Sequence, residues 1–391
     1  MIRLRSFLLF HAVLLIAPLS RASDPPTFGD PLSGLTAAEA AAFAAGKVEF
    51  AEEDGIDEGL GPVFNERSCG ECHNVPAIGG GSTRVETRFA TITNGVFDPL
   101  TQYGGTLMQD HAIGPADGSP HQFLAETVPG AATIVAGRRT TPLFGLGLVN
   151  ATDDSTFVNL AMQESLLGDG TAGHVAYVTN VNTGLRDVGK FGWKAQVPSL
   201  LIFSGDAYLN EMGITNPIFP DESCPQGDCS ELQYNPMPGL NDDGSGVRAF
   251  RDFMRLLAPP PRGPITFEAL IGQVIFSAIG CDACHTPTLT TGSNAIAALD
   301  HQVYHPYSDF LLHYMGSLGD GIKQGDATRR EMRTAPLWGL RMITTFLHDG
   351  RATTLHDAIV AHDGQGKAAR DRFIALSAIE KSYLRAFLKS L

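Results

Sequence analysis

The sequence predicts a mainly α-helical protein of two similar modules, with irregular loops and a few short strands. Three observations predict this fold class. The pattern C-x-x-C-H occurs twice in 391 residues, at Cys69–His73 and Cys281–His285. The eight residues Arg139–Leu146 recur as Arg333–Leu340 with identity at six positions, and each copy follows a C-x-x-C-H. Apolar residues at helical spacing, opened by capping pairs, predict helices towards both ends of the chain.

C-x-x-C-H is the attachment sequence of a c-type haem. Two intervening residues let one short turn present both sulfurs to one porphyrin edge, and the histidine is then placed to ligate the iron. A structural zinc site or unrelated thiols are the alternative, and a second copy among only six cysteines argues against it. We therefore predict two cytochrome c-like haem domains with two covalently bound haems. The residues that would hold them are Cys69, Cys72, His73, Cys281, Cys284 and His285.

The first 22 residues have the pattern of a cleavable secretory signal peptide. Arg3 and Arg5 precede the largely apolar run Phe7–Leu19, and Ser20–Ala22 has the small residues of a cleavage site. No later segment approaches the roughly 20 consecutive apolar residues of a membrane-spanning helix. We expect an exported, periplasmic protein without stable membrane insertion.

The charge balance restricts the partners. Residues 23–391 carry a formal charge of −17, because the first 22 residues hold three of the arginines of a chain whose net charge is −14. Such an acidic surface argues against nucleic acid or anionic lipid as a partner. A basic electron donor or simple solubility fits the same charge.

The domain boundaries follow from the linker composition. Ala258–Pro264 is the clearest linker, since it holds four prolines and a glycine. After it, Gly272, Phe276 and Gly280 precede Cys281 at a spacing typical of small cytochrome c domains. The predicted division is signal peptide 1–22, N-terminal haem domain with insertions 23–258, linker 259–265 and C-terminal haem domain 266–391.

Four helices follow from capping pairs and periodicity. Thr36 and Glu39 form a capping box that opens an alanine-rich helix, which we expect to end near Gly46. An apolar-faced helix is predicted over Phe267–Ala278, a short one over Ser155–Leu167, and a terminal helix opens at the capping pair Ser377-x-x-Glu380.

The two cysteines outside the haem motifs are Cys224 and Cys229. In an oxidising compartment, two spare cysteines separated by a short loop with Pro and Gly predict a local disulfide. A redox-active dithiol is the alternative, although four intervening residues do not match the C-x-x-C of thioredoxin-like sites.

Six longer segments carry a resemblance to a known family: Gly61–Cys69, Phe191–Ala195, Tyr307–Asp309, Leu311–His313, Thr334–Gly339 and Leu347–Ala352. Together they resemble the di-haem oxidoreductase family, which is sometimes labelled thiol oxidoreductase and is similar to bacterial di-haem cytochrome c peroxidases. Two positions depart from the family pattern, because Tyr314 and Gln365 stand where the family usually has Asp and Glu.

The resemblance implies unequal haem sites. In the peroxidase superfamily the sixth ligand of the C-terminal haem lies fourteen residues beyond the His of a His-Asp-Gly motif, which here leads from His348 to His362. Met315 and His313 are the competing candidates. The repeat has an offset of 194, which maps His348 to Asp154 and His362 to a glycine. We therefore expect an open or weakly occupied distal face at the N-terminal haem.

Peroxide cleavage requires a group that moves a proton. We select Glu126 as the catalytic candidate, with Glu86, His111 and Gln109 as alternatives. Trp193 is the candidate for electron passage between the haems. The second indole, Trp338, is a weaker candidate, and packing is the alternative for both.

The resemblance implies a di-haem oxidoreductase, with a peroxidase as the leading expectation. Electrons would enter through the C-terminal haem from a small donor such as a cytochrome c or a cupredoxin, and hydrogen peroxide or another small oxidant would react at the N-terminal haem. The alternatives are a di-haem oxidase or oxygenase acting on an organic or protein substrate, and a two-haem electron carrier without enzymatic activity. A calcium ion is also implied, with Asn241–Asp243 as the source of oxygen ligands.

Overall fold

The computed structural model describes residues 26–391. The predicted signal peptide therefore lies outside the described residues. Within them the chain is mainly α-helical, as the sequence predicts. The α-helices are α1 (Ala37–Ala51), α2 (Cys69–Cys72), α3 (Leu146–Asn150), α4 (Asp154–Leu167), α5 (Leu200–Met212), α6 (Ser245–Leu256), α7 (Phe267–Ala278), α8 (Leu355–Val360), α9 (Lys367–Ala375) and α10 (Ala378–Leu388).

Short antiparallel strands occupy the loops between the helices. β2, β3 and β5 form a three-stranded sheet in the order β3-β2-β5, and the others pair as β1-β4, β6-β7, β8-β9 and β10-β11. The strands are β1 (Val63–Phe64), β2 (Val85–Thr93), β3 (Val96–Asp98), β4 (His111–Ala112), β5 (Ile134–Arg139), β6 (Ala176–Thr179), β7 (Arg186–Gly189), β8 (Leu289–Thr290), β9 (Val303–Tyr304), β10 (Leu312–Tyr314) and β11 (Glu331–Arg333).

In the N-terminal half, α1 packs across α6. The capping box at Thr36 is confirmed, because its side chain accepts from the backbone N–H of Glu39 and the Glu39 carboxylate accepts from that of Thr36. The prediction that this helix ends near Gly46 is wrong, since α1 continues to Ala51. Gly46 lies at the helix crossing instead, where a Cβ would overlap the backbone oxygen of Ala249.

The C-terminal half repeats this arrangement with α7 and α10. A Cβ at Gly272 would overlap the backbone oxygen of Tyr383, so the glycine again allows two helices to approach closely. The predicted bounds of α7 are confirmed, and Ser377 caps α10 by accepting from the backbone N–H of Glu380.

One aromatic residue follows each of these glycines by four positions. Phe50 packs on Phe253 with ring centroids 4.9 Å apart, and Phe276 packs on Phe387 at 5.2 Å. Both halves thus place a helix pair and a phenylalanine in equivalent positions, which supports the duplication that the sequence repeat predicts.

The main hydrophobic core joins the two halves. It contains Leu146 and Phe253 from the first half together with Phe310 and Trp338 from the second. A smaller core around Phe387 belongs to the C-terminal half alone. The segment between α6 and α7 is irregular, but the division into domains at 259–265 stays a prediction because apolar packing crosses it.

Candidate functional site

A one-turn helix presents the first cysteine pair to a cavity. Cys69 and Cys72 begin and end α2, and both line a cavity of about 280 Å³ together with His73. The Nδ1 atom of His73 lies 3.0 Å from the backbone oxygen of Gly80. Because a carbonyl oxygen can only accept, Nδ1 carries the ring proton and Nε2 keeps its lone pair for a metal. Gly80 belongs to the glycine-rich loop Gly79–Gly81, which follows this motif.

The second motif is built in the same way. Cys281 starts a short 3₁₀ turn, and Cys284 and His285 complete the motif. All three line a second cavity of about 230 Å³. The Nδ1 atom of His285 lies 3.0 Å from the backbone oxygen of Tyr307, which again leaves Nε2 free for a metal.

Burial keeps both imidazoles in the form that binds metals. It lowers the pKa of His73 to about 4, and it lowers the pKa of His285 to about 4 with a further contribution from the nearby His362. Both rings are therefore neutral at neutral pH. A phenylalanine ring stands beside each, Phe50 at 5.9 Å from His73 and Phe276 at 6.4 Å from His285. The two cysteine pairs, the free Nε2 atoms and the cavities fit a haem at each site.

The C-terminal cavity brings a second imidazole into the space that His285 faces. His362 follows α8 and lines this cavity. Its Nδ1 atom lies 2.8 Å from the backbone oxygen of Ala358, so its Nε2 atom also retains a lone pair. Burial lowers the pKa of His362, which favours the neutral ring. This cavity thus holds two histidines prepared to ligate one metal.

The competing candidates are less suited. The Nε2 atom of His313 lies 3.0 Å from a carboxylate oxygen of Asp309, and its Nδ1 atom lies 3.5 Å from the sulfur of Cys284. Both ring nitrogens are therefore engaged within the protein. Met315 also lines the cavity and offers a thioether sulfur.

Trp193 stands where the two cavities meet. Its side chain lines both, and Arg139 does the same. The indole ring meets the ring of His348 edge-on at 6.2 Å. Trp338 is buried against Tyr304 in the main core and is not among the described residues that line either cavity. The structure therefore separates the two indoles, with Trp193 between the sites and Trp338 in the packing.

Residues 131–391 match the family described as "Di-haem oxidoreductase, putative peroxidase". The chain belongs to this family. Its cofactors are accordingly two haems, and the family consists of enzymes. Among curated proteins, none matches the chain.

Several solved structures resemble this di-haem oxidoreductase weakly. The di-haem peroxidase BthA from Burkholderia thailandensis is 13% identical, with 90% of this chain and 86% of that chain covered and a TM-score of 0.41. A MauG-like protein associated with microbial copper homeostasis is 15% identical, with 95% of this chain and 94% of that chain covered and a TM-score of 0.39. Hydrazine synthase from Kuenenia stuttgartiensis is 14% identical, with 100% of both chains covered and a TM-score of 0.39. Similarities at this level carry no argument about function.

The N-terminal cavity of the di-haem oxidoreductase differs in its ligands. His73 is the sole histidine among the described residues that line it, and thioether sulfurs come from Met212 and Met254. Asp154 and Gly168, which the repeat maps onto His348 and His362, are not among those residues; Asp154 is instead 2.7 Å from the ammonium of Lys190.

Partly buried carboxyl groups line the same cavity. Glu86 lies 3.0 Å from the guanidinium of Arg88 within β2, and the side chain of Glu211 from α5 contacts Glu86. The amide of Asn65 donates to the other side of Glu211 at 2.7 Å. Glu86 and Glu211, called the carboxyl pair below, therefore share one partly buried space in the N-terminal cavity.

The two members of the carboxyl pair hold protons differently. Burial, reinforced by the charge of Glu86, raises the pKa of Glu211 to about 8. Burial acts on Glu86 as well, but the ion pair and hydrogen bond with Arg88 outweigh it and lower the pKa of Glu86. At neutral pH the pair therefore presents one carboxylic acid and one carboxylate.

Glu126 lies elsewhere. Its carboxylate accepts hydrogen bonds from the backbone N–H groups of Gln109 at 2.9 Å and Gln226 at 2.7 Å. It is not among the described residues that line either cavity. The structure therefore gives Glu126 a role in joining two loops and replaces it, as acid–base candidate, by the carboxyl pair. His111 is exposed, stacks on Phe64 and is likewise outside the lining.

Sequence reasoning included Glu86 only as an alternative and missed Glu211. One signal was available, because Asp206, Asn210 and Glu211 interrupt the otherwise apolar segment of α5. All three line the N-terminal cavity. Their contact with β2 depends on the tertiary fold and could not be derived from spacing.

Two further predictions concern the region before α6. The disulfide Cys224–Cys229 is present, with its Cα atoms 4.5 Å apart, as predicted. The expected calcium ligands have other partners: Asp242 and Asp243 accept backbone N–H groups at the start of α6, and Asn241 accepts from Thr215. Their oxygens accept hydrogen bonds around the start of this helix, and the calcium ion stays a prediction.

No helix within residues 26–391 is long and apolar enough to cross a membrane.

Proposed function

We propose that this di-haem oxidoreductase is an exported peroxidase that reduces hydrogen peroxide at the N-terminal site, with electrons entering through the C-terminal site. One observation carries the proposal. In the C-terminal cavity, His285 and His362 each have Nδ1 held by a backbone oxygen and Nε2 free, whereas in the N-terminal cavity one histidine, His73, is prepared in this way and stands with the carboxyl pair. The first arrangement suits electron transfer, and the second suits chemistry on a small molecule.

The chain would hold each haem covalently. Cys69 and Cys72 would bond to one porphyrin and Cys281 and Cys284 to the other, as the spacing of C-x-x-C-H requires. His73 and His285 would ligate the irons through Nε2, with His362 as the second ligand at the C-terminal site. When bound, a haem iron supplies single electrons and a position for a small oxidant.

The carboxyl pair would handle the protons of the reaction. Reduction of one hydrogen peroxide consumes two protons and two electrons and produces two waters. Glu86, as the carboxylate, would accept the proton of one peroxide oxygen, and Glu211, as the acid, would donate a proton to the oxygen that leaves as water. Arg88 would hold Glu86 in its charged form and add positive charge beside the developing anion.

Trp193 would connect the two sites. It lines both cavities, and its position is fixed because its backbone oxygen accepts from the N–H of Arg333 at 2.9 Å. An aromatic ring at this place offers a path for electrons from the C-terminal to the N-terminal site. The donor would be a small periplasmic protein such as a cytochrome c or a cupredoxin.

The direct test uses the purified holoprotein with a reduced cytochrome c as donor. We expect peroxide to cause oxidation of two donor molecules for each peroxide consumed. We also expect cyanide to bind one haem. If Met212 or Met254 would ligate that haem, cyanide should bind only after half reduction of the protein. Two haems that resist cyanide in both states, with no donor oxidation, would overturn the proposal in favour of an electron carrier. Turnover that requires an organic substrate would favour an oxidase.

A further inference from the structure

Arg139 is a buried cation without a partner. It ends β5, its side chain is 8% exposed, and its Nε atom is buried without a hydrogen-bond partner. Within residues 26–391 its guanidinium makes no ion pair, and burial lowers its pKa. Burying a charge away from water is costly in a folded protein unless a partner of opposite charge compensates. The protein thus keeps a cation buried where no described side chain neutralises it.

The other arginines that line the two cavities are engaged. In the N-terminal cavity the partners are Glu66 and Asp110 for Arg84, Glu86 for Arg88, and Asp320 for Arg138. In the C-terminal cavity they are the backbone oxygens of Gly192 and Thr334 for Arg333, and Asp371 with the backbone oxygen of His362 for Arg370. Arg139 is therefore the lining arginine of the described chain that remains available to an anion.

The backbone of Arg139 is fixed on both sides. Its N–H donates to the backbone oxygen of His348 at 2.6 Å, and its carbonyl accepts from the indole N–H of Trp193 at 2.9 Å. Its side chain passes Gly350, where a Cβ would lie 3.7 Å from the Cδ atom of Arg139. Arg139 so held lines both cavities.

We propose that Arg139 binds propionate carboxylates of both haems, one from each cavity, and so links the two sites electrostatically. This inference rests on the proposed occupation of both cavities by haem. A haem carries two carboxylates, and a guanidinium has five N–H donors in a planar fork that can serve two carboxylates at once. The two haems would then neutralise the cation that the protein alone leaves unpaired.

The proposal predicts a shared effect on reduction. A cation close to a haem favours the reduced form, which carries one more electron, so its loss lowers the reduction potential. Because the cation is shared, Arg139→Met should lower the potential of both haems. We expect at least a tenfold change in each reduction equilibrium, which is about 59 mV for a one-electron couple.

The experiment is a redox titration of the holoprotein without peroxide, in which absorption and spin-resonance spectra distinguish the two haems. Arg139→Lys keeps the positive charge but lacks the planar fork of N–H donors. Each reduction equilibrium should therefore change by less than tenfold, while the propionate bands of the resonance Raman spectrum shift. Arg84→Met is the matched control, since Arg84 lines the N-terminal cavity but already has two carboxylate partners; its effect should be smaller than that of Arg139→Met.

Three outcomes would overturn the proposal: unchanged potentials in Arg139→Met, a change at one haem alone, or an equal change in Arg84→Met. If Arg139→Met does not incorporate haem, unshifted propionate bands in Arg139→Lys would overturn it instead. The readout is independent of peroxide turnover. A protein that lacks peroxidase activity but shows both shifts would contradict the proposed function and leave this inference standing.

Discussion

The indole Nε1 of Trp193 donates a hydrogen bond to the backbone oxygen of Arg139 at 2.9 Å, and the side chains of both residues line both haem cavities. Arg139 is the first residue of the repeated eight-residue segment, and Trp193 lies in a motif shared with di-haem oxidoreductases. The bond therefore joins two segments distant in sequence at the junction between the haem sites. It fixes the aromatic ring and the cation relative to each other.

Trp193→Ala should slow electron transfer between the two sites. Removing the ring leaves a gap between the cavities, and we expect the rate to fall by about tenfold or more, equivalent to about 1.4 kcal/mol in activation free energy. Stopped-flow spectroscopy measures this as the rate at which the C-terminal haem is oxidised after peroxide is added to the half-reduced protein. Trp338→Phe is the control, because Trp338 packs in the core away from both cavity linings. Equal rates in the wild type and Trp193→Ala would exclude the indole from the path.

His362→Ala should open the C-terminal haem. The variant loses the histidine that, like His285, has its Nδ1 atom held by a backbone oxygen and its Nε2 atom free in that cavity. We expect this haem to change from low-spin to high-spin in the ferric absorption and spin-resonance spectra and to bind cyanide. Met315→Leu is the matched control and should leave the spin state unchanged. The opposite pattern, with the change in Met315→Leu alone, would assign the ligand to the methionine.

The local motifs were predictable from the sequence because their chemistry depends on short spacing. C-x-x-C-H placed both cysteine pairs and histidines, and a fourteen-residue interval from His348 led to His362 in the same cavity as His285. The pairing of Cys224 with Cys229 followed from their proximity in the chain.

What the sequence could not supply was the set of contacts between distant segments. Glu126 was selected because it follows the first haem motif, whereas Glu211 lies 125 positions after Glu86 and meets it only in the fold. Gly46 carries the signal of a helix end as well as that of a helix crossing. The sequence does not distinguish these two uses, since the choice depends on where α6 packs.

Peroxide turnover should depend on pH through Glu211. Burial raises the pKa of this carboxyl to about 8, so it holds its proton below that pH and loses it above. We expect activity to fall as pH rises through about 8, and Glu211→Gln, which cannot release a proton, to lose most turnover at every pH. Asp110→Asn is the control, because Asp110 lines the same cavity but is paired with Arg84 near the surface. An unaltered profile in Glu211→Gln would remove Glu211 from the mechanism.

The same group predicts how stability depends on pH. The pKa of Glu211 in the folded protein, about 8, is above the ordinary value of 4.5, so the native state binds this proton more tightly than the unfolded chain. The stabilisation is complete below about pH 4.5 and is lost as pH rises through about 8. Chemical denaturation of the wild type and Glu211→Gln between these limits measures it, and the free energy of unfolding of the variant should decline less over this interval. Parallel curves for the two proteins would contradict the assignment.

Gly272→Ala should destabilise the C-terminal half. A methyl group there would overlap the backbone oxygen of Tyr383, so α7 and α10 would have to separate. Overpacking of this kind costs about 1–3 kcal/mol, and in a chain of 391 residues each kcal/mol lowers the melting temperature by roughly 1 °C. Gly46→Ala should act similarly at the crossing of α1 and α6, where the Cβ would meet Ala249.

The matched control is Gly130→Ala, since Gly130 has open space around its Cβ position and a backbone that other residues adopt. It should be neutral or slightly stabilising, because alanine reduces the freedom of the unfolded chain. Melting curves recorded by circular dichroism compare the three variants. Each crossing glycine stands four residues before a phenylalanine, Phe50 or Phe276, whose ring lies beside the histidine of a C-x-x-C-H motif. A separated helix pair should therefore also change the absorption spectrum of the haem in its own half before unfolding. Equal melting temperatures for all three variants would contradict the prediction, because they would show that the helices accommodate the methyl group without loss of stability.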